Sequence, residues 1–200
     1  MALENLKGLT LYVVRHGQTV TNTKAGIMGQ NDSPMTPKGK DQVRFNAGIL
    51  RREAGAVAAT LDFVVSPLHR ACQAIEIVLR EIGLDSDAYR TDRRLMETDF
   101  GLHSDWTWEQ MNTDTHGRGY LTDPWNYRRP DGESLKDVHT RVGKFLATLT
   151  RDAVLLTHNG VVRMIRAHYL GLSPEATVAY TQPNEGVMRL SNGGETLFRD

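Results

Sequence analysis

The sequence predicts an α/β protein, a three-layer sandwich whose mostly parallel central sheet carries helices on both faces. Three short apolar runs, residues 11–14, 61–65 and 153–156, are typical of strands that are buried on both faces. A segment with apolar residues at helical spacing follows each run. Buried strands that alternate with amphipathic helices favour a parallel sheet that is covered on both sides.

Length and composition bound the number of domains and the kind of partner. The chain has 200 residues, of which 40% are hydrophobic and 24% charged, as in a single globular domain. Lysine and arginine number 24, as do aspartate and glutamate, so the formal net charge is zero. A neutral chain has no general attraction for nucleic acid or an anionic membrane, and neither is expected as a partner. Any affinity for an anion must come from a few placed residues.

Cysteine usage and the hydrophobic pattern bear on the compartment. Cys72 is the only cysteine, so neither an intrachain disulfide nor a cysteine zinc cage is expected. Residues 1–9 lack the apolar run of a signal peptide. No apolar run in the sequence approaches the ~18 residues of a membrane span. The expected location is the cytoplasm.

Capping residues predict where the helices begin. Thr36, which a proline follows, is a candidate N-cap, and Ser66 predicts a second start of the same kind. Ser134 and the residues after it resemble a capping box at the start of an amphipathic helix. The helix that follows the third strand is expected to end near Gly171.

Two further segments complete the predicted domain, which spans residues 1–200. Residues 83–132 lack regular periodicity and contain all three tryptophans, which are interpreted as packing residues. We interpret this segment as an insertion that covers one edge of the fold and the mouth of the functional site. Residues 187–198, with an Asn-Gly-Gly turn at 192–194, predict a C-terminal β-hairpin.

Polar side chains that suit an anion follow each of the three predicted strands. Arg15 and His16 come after the first strand, Ser66 and then Arg70 after the second, and His158 after the third. In an open α/β sheet, ligands bind beyond the carboxyl ends of the strands, and right-handed crossovers bring those ends to one edge. We therefore expect the two arginines and two histidines to meet in one pocket.

Arg70 stands where its charge is unfavourable unless an anion is bound. It falls in the first turn of a predicted helix, where a cation opposes the helix dipole at a cost of roughly 0.3–1 kcal/mol. Residues that break a local preference in this way are candidates for function. Two guanidinium groups with two imidazoles suit a tetrahedral oxyanion such as phosphate.

A phosphate pocket of this kind needs a nucleophile and a proton donor. Histidine is unprotonated at one nitrogen near neutral pH and can form a phosphoramidate, which makes His16 the candidate nucleophile. The leaving alcohol needs a proton, and Glu97 and Asp99 are the candidate general acids. The residue types alone leave both carboxylates open.

Six blocks of sequence, in order along nearly the whole chain, resemble the histidine phosphatase superfamily in its phosphoglycerate-mutase-like branch. Arg-His-Gly alone is a weak signal, whereas six ordered blocks are specific. The blocks are residues 15–19 with Asn22, Gly29 with residues 35–39, and residues 66–71, 95–101, 130–134 and 158–163. The resemblance implies the phosphoglycerate-mutase-like α/β fold.

The resemblance also implies roles for the candidate residues. His16 is expected to be the phosphorylated nucleophile, with Glu97 rather than Asp99 as proton donor and later as base for water. Arg15, Arg70 and His158 are then expected to bind the phosphoryl group. Six more residues are expected to line the substrate pocket: Gln18, Thr19, Asn22, Gly29, Asn159 and Gly160. The resemblance implies neither a metal nor a cofactor.

Two features near the predicted mouth bear on the substrate. Residues 102–106 stand where the family often has a Trp-Glu-Gly-like stretch, so the substrate preference is affected more than the chemistry. Arg128 and Arg129 form a basic pair. The pair either contacts a second acidic group of the substrate or is solvated, and the sequence leaves both interpretations open.

The resulting prediction is an enzyme, a histidine acid phosphatase-type phosphomonoesterase that hydrolyses a small phosphorylated substrate without a metal. The alternative is a phosphoglycerate mutase-type phosphoryl transfer. The cofactor-dependent mutases of the family are typically longer than 200 residues, which favours the phosphatase. A third hypothesis is a non-catalytic phospholigand-binding protein, and the presence of every candidate residue counts against it. The sequence predicts neither the natural substrate nor the oligomeric state.

Overall fold

A six-stranded sheet forms the centre of the computed structural model, which describes residues 3–200 apart from the side chain of His116. The strands are β1 Leu11–Arg15, β2 Asp62–Val65, β3 Arg90–Thr91, β4 Ala153–Thr157, β5 Val187–Ser191 and β6 Gly194–Phe198. Their order across the sheet is β3-β2-β4-β1-β5-β6. The first four strands in this order are parallel, and β5 and β6 are antiparallel. The sheet is therefore mixed and mostly parallel, as predicted, and the predicted C-terminal hairpin is confirmed.

Eight α-helices surround the sheet in the described part of the chain. They are α1 Val20–Thr23, α2 Pro37–Ala54, α3 His69–Glu81, α4 Trp108–Thr113, α5 Thr115–Thr122, α6 Leu135–Leu146, α7 Asn159–Leu170 and α8 Pro174–Ala179. Short 3-10 helices lie at Glu4–Leu6, Gly55–Thr60, Arg93–Leu95 and Gly101–His103. None of the helices described is long and apolar enough to cross a bilayer.

Strand side chains alternate between two apolar cores, one on each face of the sheet. Val13 and Leu155 point into the core under α6 and α7, where Phe145 is also buried. Val14 and Leu156 point into the opposite core, which contains apolar residues of α2 and α3. This arrangement confirms the predicted three layers. It also brings the carboxyl ends of β1, β2 and β4 to one edge of the sheet.

Most of the predicted helix boundaries agree with the structure. The Thr36 hydroxyl accepts from the Gly39 N–H at 3.0 Å and caps α2. Ser134 and Asp137 form the capping box of α6. Gly171 ends α7 in the left-handed conformation, with a φ of 70°.

The predicted helix start at Ser66 is wrong. Helix α3 begins at His69 with Leu68 as its N-cap. The Ser66 hydroxyl lies 2.7 Å from His158 Nε2 and accepts from the Leu68 N–H. It therefore binds His158 at the edge of the sheet and does not cap α3. Arg70 still falls in the first turn of α3, as expected.

The segment 83–132 contains more regular structure than its sequence indicates. Its first part contributes β3, which pairs with Val64 and Val65 at the edge of the sheet. Two 3-10 helices and the helices α4 and α5 follow. Helix α8, capped by Ser173, was also not predicted. These elements are too short for a periodic pattern to reveal them.

Candidate active site

A cavity of about 410 Å³ opens at the edge where β1 and β4 end. Its wall combines residues that follow these strands with residues of the loops around them. The wall residues are Arg15, His16, Asn22, Gly26, Ile27, Met28, Gly29, Arg70, Glu97, Thr98, Phe100, Trp108, Tyr120, Arg129, Leu135, Asn159, Gly160, Arg163 and Thr181. Arg15, His16 and Arg70 are thus brought together on the wall, as expected, whereas His158, expected with them, is not on the wall.

Arg15 is the last residue of β1 and is held by the main chain. Its Nη1 donates to the Gln182 carbonyl at 2.8 Å. Its Nε is buried and has no hydrogen-bond partner among the described residues. Burial lowers the pKa of Arg15, and the Glu97 carboxylate opposes that fall. One edge of the guanidinium is therefore anchored and the other is left for a ligand.

His16 lies on the wall with only 3% of its surface exposed. Its Nδ1 is 2.7 Å from the Gly17 carbonyl, and because a carbonyl only accepts, Nδ1 carries the proton. Burial lowers the pKa of His16 well below its usual range, and the charges of Arg70 and Arg15 lower it further. The imidazole is therefore neutral at neutral pH, with the lone pair on Nε2.

Gly17 permits the close approach that fixes His16. A Cβ at this position would overlap the backbone of Gly39, at the start of α2. Only glycine therefore allows α2 to lie against the loop after β1. The carbonyl of the same Gly17 accepts the His16 proton, so the tautomer of the histidine depends on this packing.

Arg70 is completely buried, which is unusual for an arginine. Its Nη1 donates to the Asn31 carbonyl at 2.8 Å and its Nη2 to the Gly29 carbonyl at 2.7 Å. Its Nε is buried without a partner among the described residues. Burial lowers the pKa of Arg70 to about 10, so it remains charged at neutral pH.

His158 is the N-cap residue of α7 and lies behind the cavity wall. Its ring centroid is 5.0 Å from that of His16. Nε2 lies 2.7 Å from the Ser66 hydroxyl, whereas Nδ1 is buried without a partner in the described part of the chain. Burial, followed by the charge of Arg70, lowers the pKa of His158 well below its usual range. When Ser66 donates to Nε2, Nδ1 carries the proton and can donate to an anion.

Glu97 is the carboxylate on the cavity wall. Its Oε1 accepts from the Thr98 N–H at 2.8 Å, and its Oε2 accepts from the Gly160 N–H at 3.2 Å. A Cβ at Gly160 would overlap the Glu97 carboxylate, so a larger residue there would displace that carboxylate. Asp99 lies off the wall and accepts from the Gly101 N–H. Of the two candidate general acids, the geometry therefore favours Glu97.

Four of the six expected pocket residues lie on the wall, namely Asn22, Gly29, Asn159 and Gly160. The other two, Gln18 and Thr19, do not. Gln18 Oε1 accepts from the Thr36 hydroxyl, and Thr19 caps α1. Both residues therefore shape the loop after β1 rather than face the cavity.

The basic pair divides between surface and cavity. Arg128 is exposed, and its Nη1 lies 2.8 Å from a carboxylate oxygen of Asp137. Arg129 is only 1% exposed and lies on the wall. Of the two interpretations of the pair, exposure to solvent therefore applies to Arg128, and a position at the substrate cavity applies to Arg129.

Sequence reasoning missed several wall residues. Arg163 lies one helical turn after Asn159 on α7, so helical spacing could have indicated that both share a face. Its Nη2 donates to the Thr181 hydroxyl at 3.0 Å. Trp108 was interpreted as a packing residue, yet it is 41% exposed and lies on the wall near Phe100. No local pattern reveals a wall that distant segments assemble.

The fold and the cavity together indicate an α/β protein that binds a tetrahedral oxyanion. The strand-end group, which we define as Arg15, His16, Arg70 and His158, combines the half-buried Arg15 and the buried Arg70 with two neutral imidazoles. These groups suit a tetrahedral oxyanion, and a carboxylate lies on the same wall. Among the described residues, no group of three or more His, Cys, Asp or Glu side chains is placed to hold a metal ion.

The chain belongs to the histidine phosphatase superfamily (branch 1). The family model matches residues 11–197, nearly the whole chain. This match confirms the resemblance found in the sequence. Because members of this superfamily are phosphatases or mutases, the match supports an enzyme.

Curated relatives share about a third of the aligned residues. The chain is similar to a protein named "Probable phosphoglycerate mutase GpmB" from Enterobacter sp. (strain 638), with 33% identity over 171 residues, which cover 82% of this chain and 76% of that protein. The protein of the same name from Citrobacter koseri is 34% identical over 147 residues, with 70% of this chain and 62% of that protein covered. The chain thus matches less than two thirds of the length of several of these relatives.

Solved structures confirm the fold. The alpha-ribazole phosphatase from Shigella flexneri superposes with a TM-score of 0.80 at 22% identity, with 96% of this chain and 95% of that chain covered. A mycobacterial glucosyl-3-phosphoglycerate phosphatase, solved with VO3, superposes with a TM-score of 0.76 at 26% identity, with 96% of this chain and 98% of that chain covered. The phosphoglycerate-mutase-like α/β fold predicted from the sequence is therefore confirmed.

Proposed function

We propose that this protein hydrolyses phosphomonoesters without a metal, through a phosphohistidine intermediate on His16, with Glu97 as the proton donor. One observation carries the proposal. His16 is a neutral imidazole on the cavity wall, its proton is held on Nδ1, and its Nε2 has no partner among the described residues. The charges of Arg15 and Arg70 lower the pKa of the His16 ring. Each of the two arginines also has a buried Nε–H group without a partner among the described residues.

In the first step, the lone pair of His16 Nε2 attacks phosphorus in line with the leaving oxygen. The N–P bond forms as the P–O bond to the leaving group breaks. Protonated Glu97 gives its proton to the departing oxygen, so an alcohol leaves. Arg15, Arg70 and His158 Nδ1 donate to the non-bridging oxygens, whose charge they stabilise.

In the second step, water attacks the phosphohistidine. The Glu97 carboxylate takes a proton from the water, the P–N bond breaks, and inorganic phosphate leaves. The hydrogen bond from Nδ1 to the Gly17 carbonyl keeps the imidazole in one orientation through both steps. His16 returns to its neutral tautomer, and Glu97 is again protonated.

The second candidate is a mutase, in which the phosphoryl group passes to a hydroxyl of the substrate rather than to water. The curated relatives named as phosphoglycerate mutases favour it. The similar mycobacterial glucosyl-3-phosphoglycerate phosphatase, solved with VO3, favours hydrolysis. A phosphoglycerate assay separates the two, because isomerisation that depends on bisphosphoglycerate would contradict the hydrolase.

Hydrolysis of a generic aryl phosphate tests the proposal. His16→Ala is expected to lower kcat by at least about 10³-fold, because the nucleophile is lost. His69→Ala is the matched control, since His69 is exposed on α3 and lies off the cavity wall. Excess chelator is expected to leave the wild-type rate unchanged.

Two results would contradict the proposal. Wild-type turnover by His16→Ala would show that His16 is not the nucleophile. If the wild-type protein binds vanadate but releases phosphate from no ester, the non-catalytic phospholigand-binding protein is the better account.

A further inference from the structure

Arg129 contacts two aromatic rings on the cavity wall. Its guanidinium carbon lies 4.2 Å from the ring centroid of Phe100 and 4.6 Å from that of Tyr120. We call these three residues the arginine clamp. Contact with both rings restricts the guanidinium, whose N–H groups lie in its own plane and are available for hydrogen bonds along its edges.

One edge of that guanidinium has no partner. Nη1 donates to the Glu133 carbonyl at 2.7 Å, whereas Nε and Nη2 are buried without a partner among the described residues. Nε and Nη2 lie on the same side of the guanidinium, where their two N–H bonds are parallel. This pair matches the two oxygens of a carboxylate or two oxygens of a phosphate.

No described carboxylate neutralises Arg129. The nearby Glu133 carboxylate is engaged by Arg141, whose Nε and Nη2 donate to its two oxygens at 2.7 and 2.9 Å. By contrast, the adjacent Arg128 is paired with Asp137. A buried cation with two free donors is costly unless an anion completes it.

The strand-end group has the same signature. Arg15, Arg70 and His158 each have a buried N–H or nitrogen without a partner among the described residues. Burial lowers the pKa of Arg15, Arg70 and Arg129, and the Glu97 carboxylate opposes the fall in all three. The charge of Glu97 therefore acts both on the arginines of the strand-end group and on Arg129.

We propose that the arginine clamp is a second anion subsite, so that the substrate is a phosphomonoester with another anionic group, a carboxylate or a phosphate, on the part that leaves. This inference rests on the proposed function, which places the reacting phosphoryl group at the strand-end group. Apolar residues of the same wall, Ile27, Met28 and Leu135, are available to the uncharged part of the substrate.

Matched aryl phosphates test the subsite in the full-length protein. The probes are 3- and 4-carboxyphenyl phosphate, the isosteric neutral 3- and 4-carbamoylphenyl phosphates, and the 1,3- and 1,4-phenylene bisphosphates. The wild-type protein is expected to show a kcat/KM about tenfold or more higher for an anionic probe than for the amide of the same spacing. The ratio of kcat/KM to that of the amide is compared between the carboxylate and the bisphosphate, and the value for the bisphosphate is halved because it has two equivalent esters. The probe with the larger ratio identifies the anion that the clamp binds.

The adjacent arginines supply a matched pair of variants. Arg129→Gln is expected to bring the ratio of anionic to neutral probe close to one. Arg129→Lys is expected to give an intermediate ratio, because the charge remains but the parallel pair of donors is lost. Arg128→Gln, at an exposed residue off the wall, is expected to keep the wild-type ratio. A thermal melt establishes that each variant is folded.

Two results would overturn the subsite. The first is equal kcat/KM values of the wild-type protein for the anionic and amide probes at both spacings. This result requires no variant. The other is a preference that survives in folded Arg129→Gln. If no probe is hydrolysed, the proposed function fails instead, and the same ratios are then taken from the Kd values of the probes by calorimetry.

Discussion

The strand-end group and the arginine clamp lie on one cavity but are built in different ways. Each member of the strand-end group lies at or just after the end of a central strand or in the first turn of a helix, and Arg15, His16 and Arg70 are anchored on main-chain carbonyls. The clamp comes from the segment between β3 and the start of α6 and includes two rings that contact the guanidinium. The sheet therefore fixes the reacting groups, and the segment around α4 and α5 supplies the clamp.

The charge of Glu97 acts on both regions, and its loss is expected to have the largest effect among changes that leave the nucleophile in place. Glu97→Gln is expected to lower kcat for an alkyl phosphate by about 10²–10⁴-fold, because the poor leaving group needs the proton. The loss for a nitrophenyl phosphate is expected to be much smaller, since nitrophenolate leaves without one. Steady-state kinetics over a series of leaving groups measures the difference.

Asp99→Asn is the matched control for Glu97→Gln. Asp99 lies off the wall, and the asparagine keeps an oxygen for the Gly101 N–H, so kcat is expected to change only a few-fold. Equal losses for good and poor leaving groups in Glu97→Gln would show that Glu97 is not the general acid.

Arg70→Ala tests whether the two regions act independently. It removes a donor to the phosphoryl group and is expected to lower kcat/KM by about 10²–10³-fold. The loss is expected to be equal for the carboxyphenyl and carbamoylphenyl phosphates, so their ratio stays at the wild-type value. Arg70→Lys is expected to recover little, because lysine cannot donate to the carbonyls of both Gly29 and Asn31 in the same way. A loss confined to the anionic probes would place Arg70 in the second subsite.

The buried histidines of the strand-end group are expected to make stability depend on pH. The pKa values of His16 and His158 are lowered in the folded state, so the unfolded chain binds more protons just below pH 6.5. Stability is therefore full above that pH and falls as the pH drops below it. Each such histidine contributes at most about 1.4 kcal/mol per pH unit.

Urea unfolding at pH 7.0 and 5.5 measures this dependence. His16→Gln is expected to reduce the pH dependence of the free energy of unfolding. His69→Ala, at an exposed position, is expected to leave it unchanged. An identical pH dependence in wild type and His16→Gln would contradict a neutral, buried His16.

The sequence predicted the strand-end group better than the clamp. Arg15, Arg70 and His158 could be placed because each follows a strand or opens a helix, and the carboxyl ends of parallel strands must meet. The sequence shows that residues 17 and 160 are glycines, but only the structure shows that a side chain at Gly17 would overlap Gly39 and one at Gly160 would overlap Glu97.

The clamp could not be predicted because it joins three distant parts of one irregular segment. Nothing in the spacing of Phe100, Tyr120 and Arg129 indicates that both rings contact the guanidinium. The sequence could likewise not show which member of the Arg128–Arg129 pair is solvated, since that depends on Asp137. For the same reason the two-residue strand β3 was missed, because it is defined by its pairing with β2 rather than by its own pattern.

Trapping the phosphoenzyme tests the central claim most directly. Acid-free rapid quench of the wild-type protein during turnover of a radiolabelled aryl phosphate, followed by peptide mapping, measures where the phosphoryl group resides. The expected result is a phosphoryl group on His16 that is labile in acid and stable in base, and that is lacking in His16→Ala. A label that is stable in acid, or one that maps to another residue, would contradict a phosphohistidine mechanism on His16.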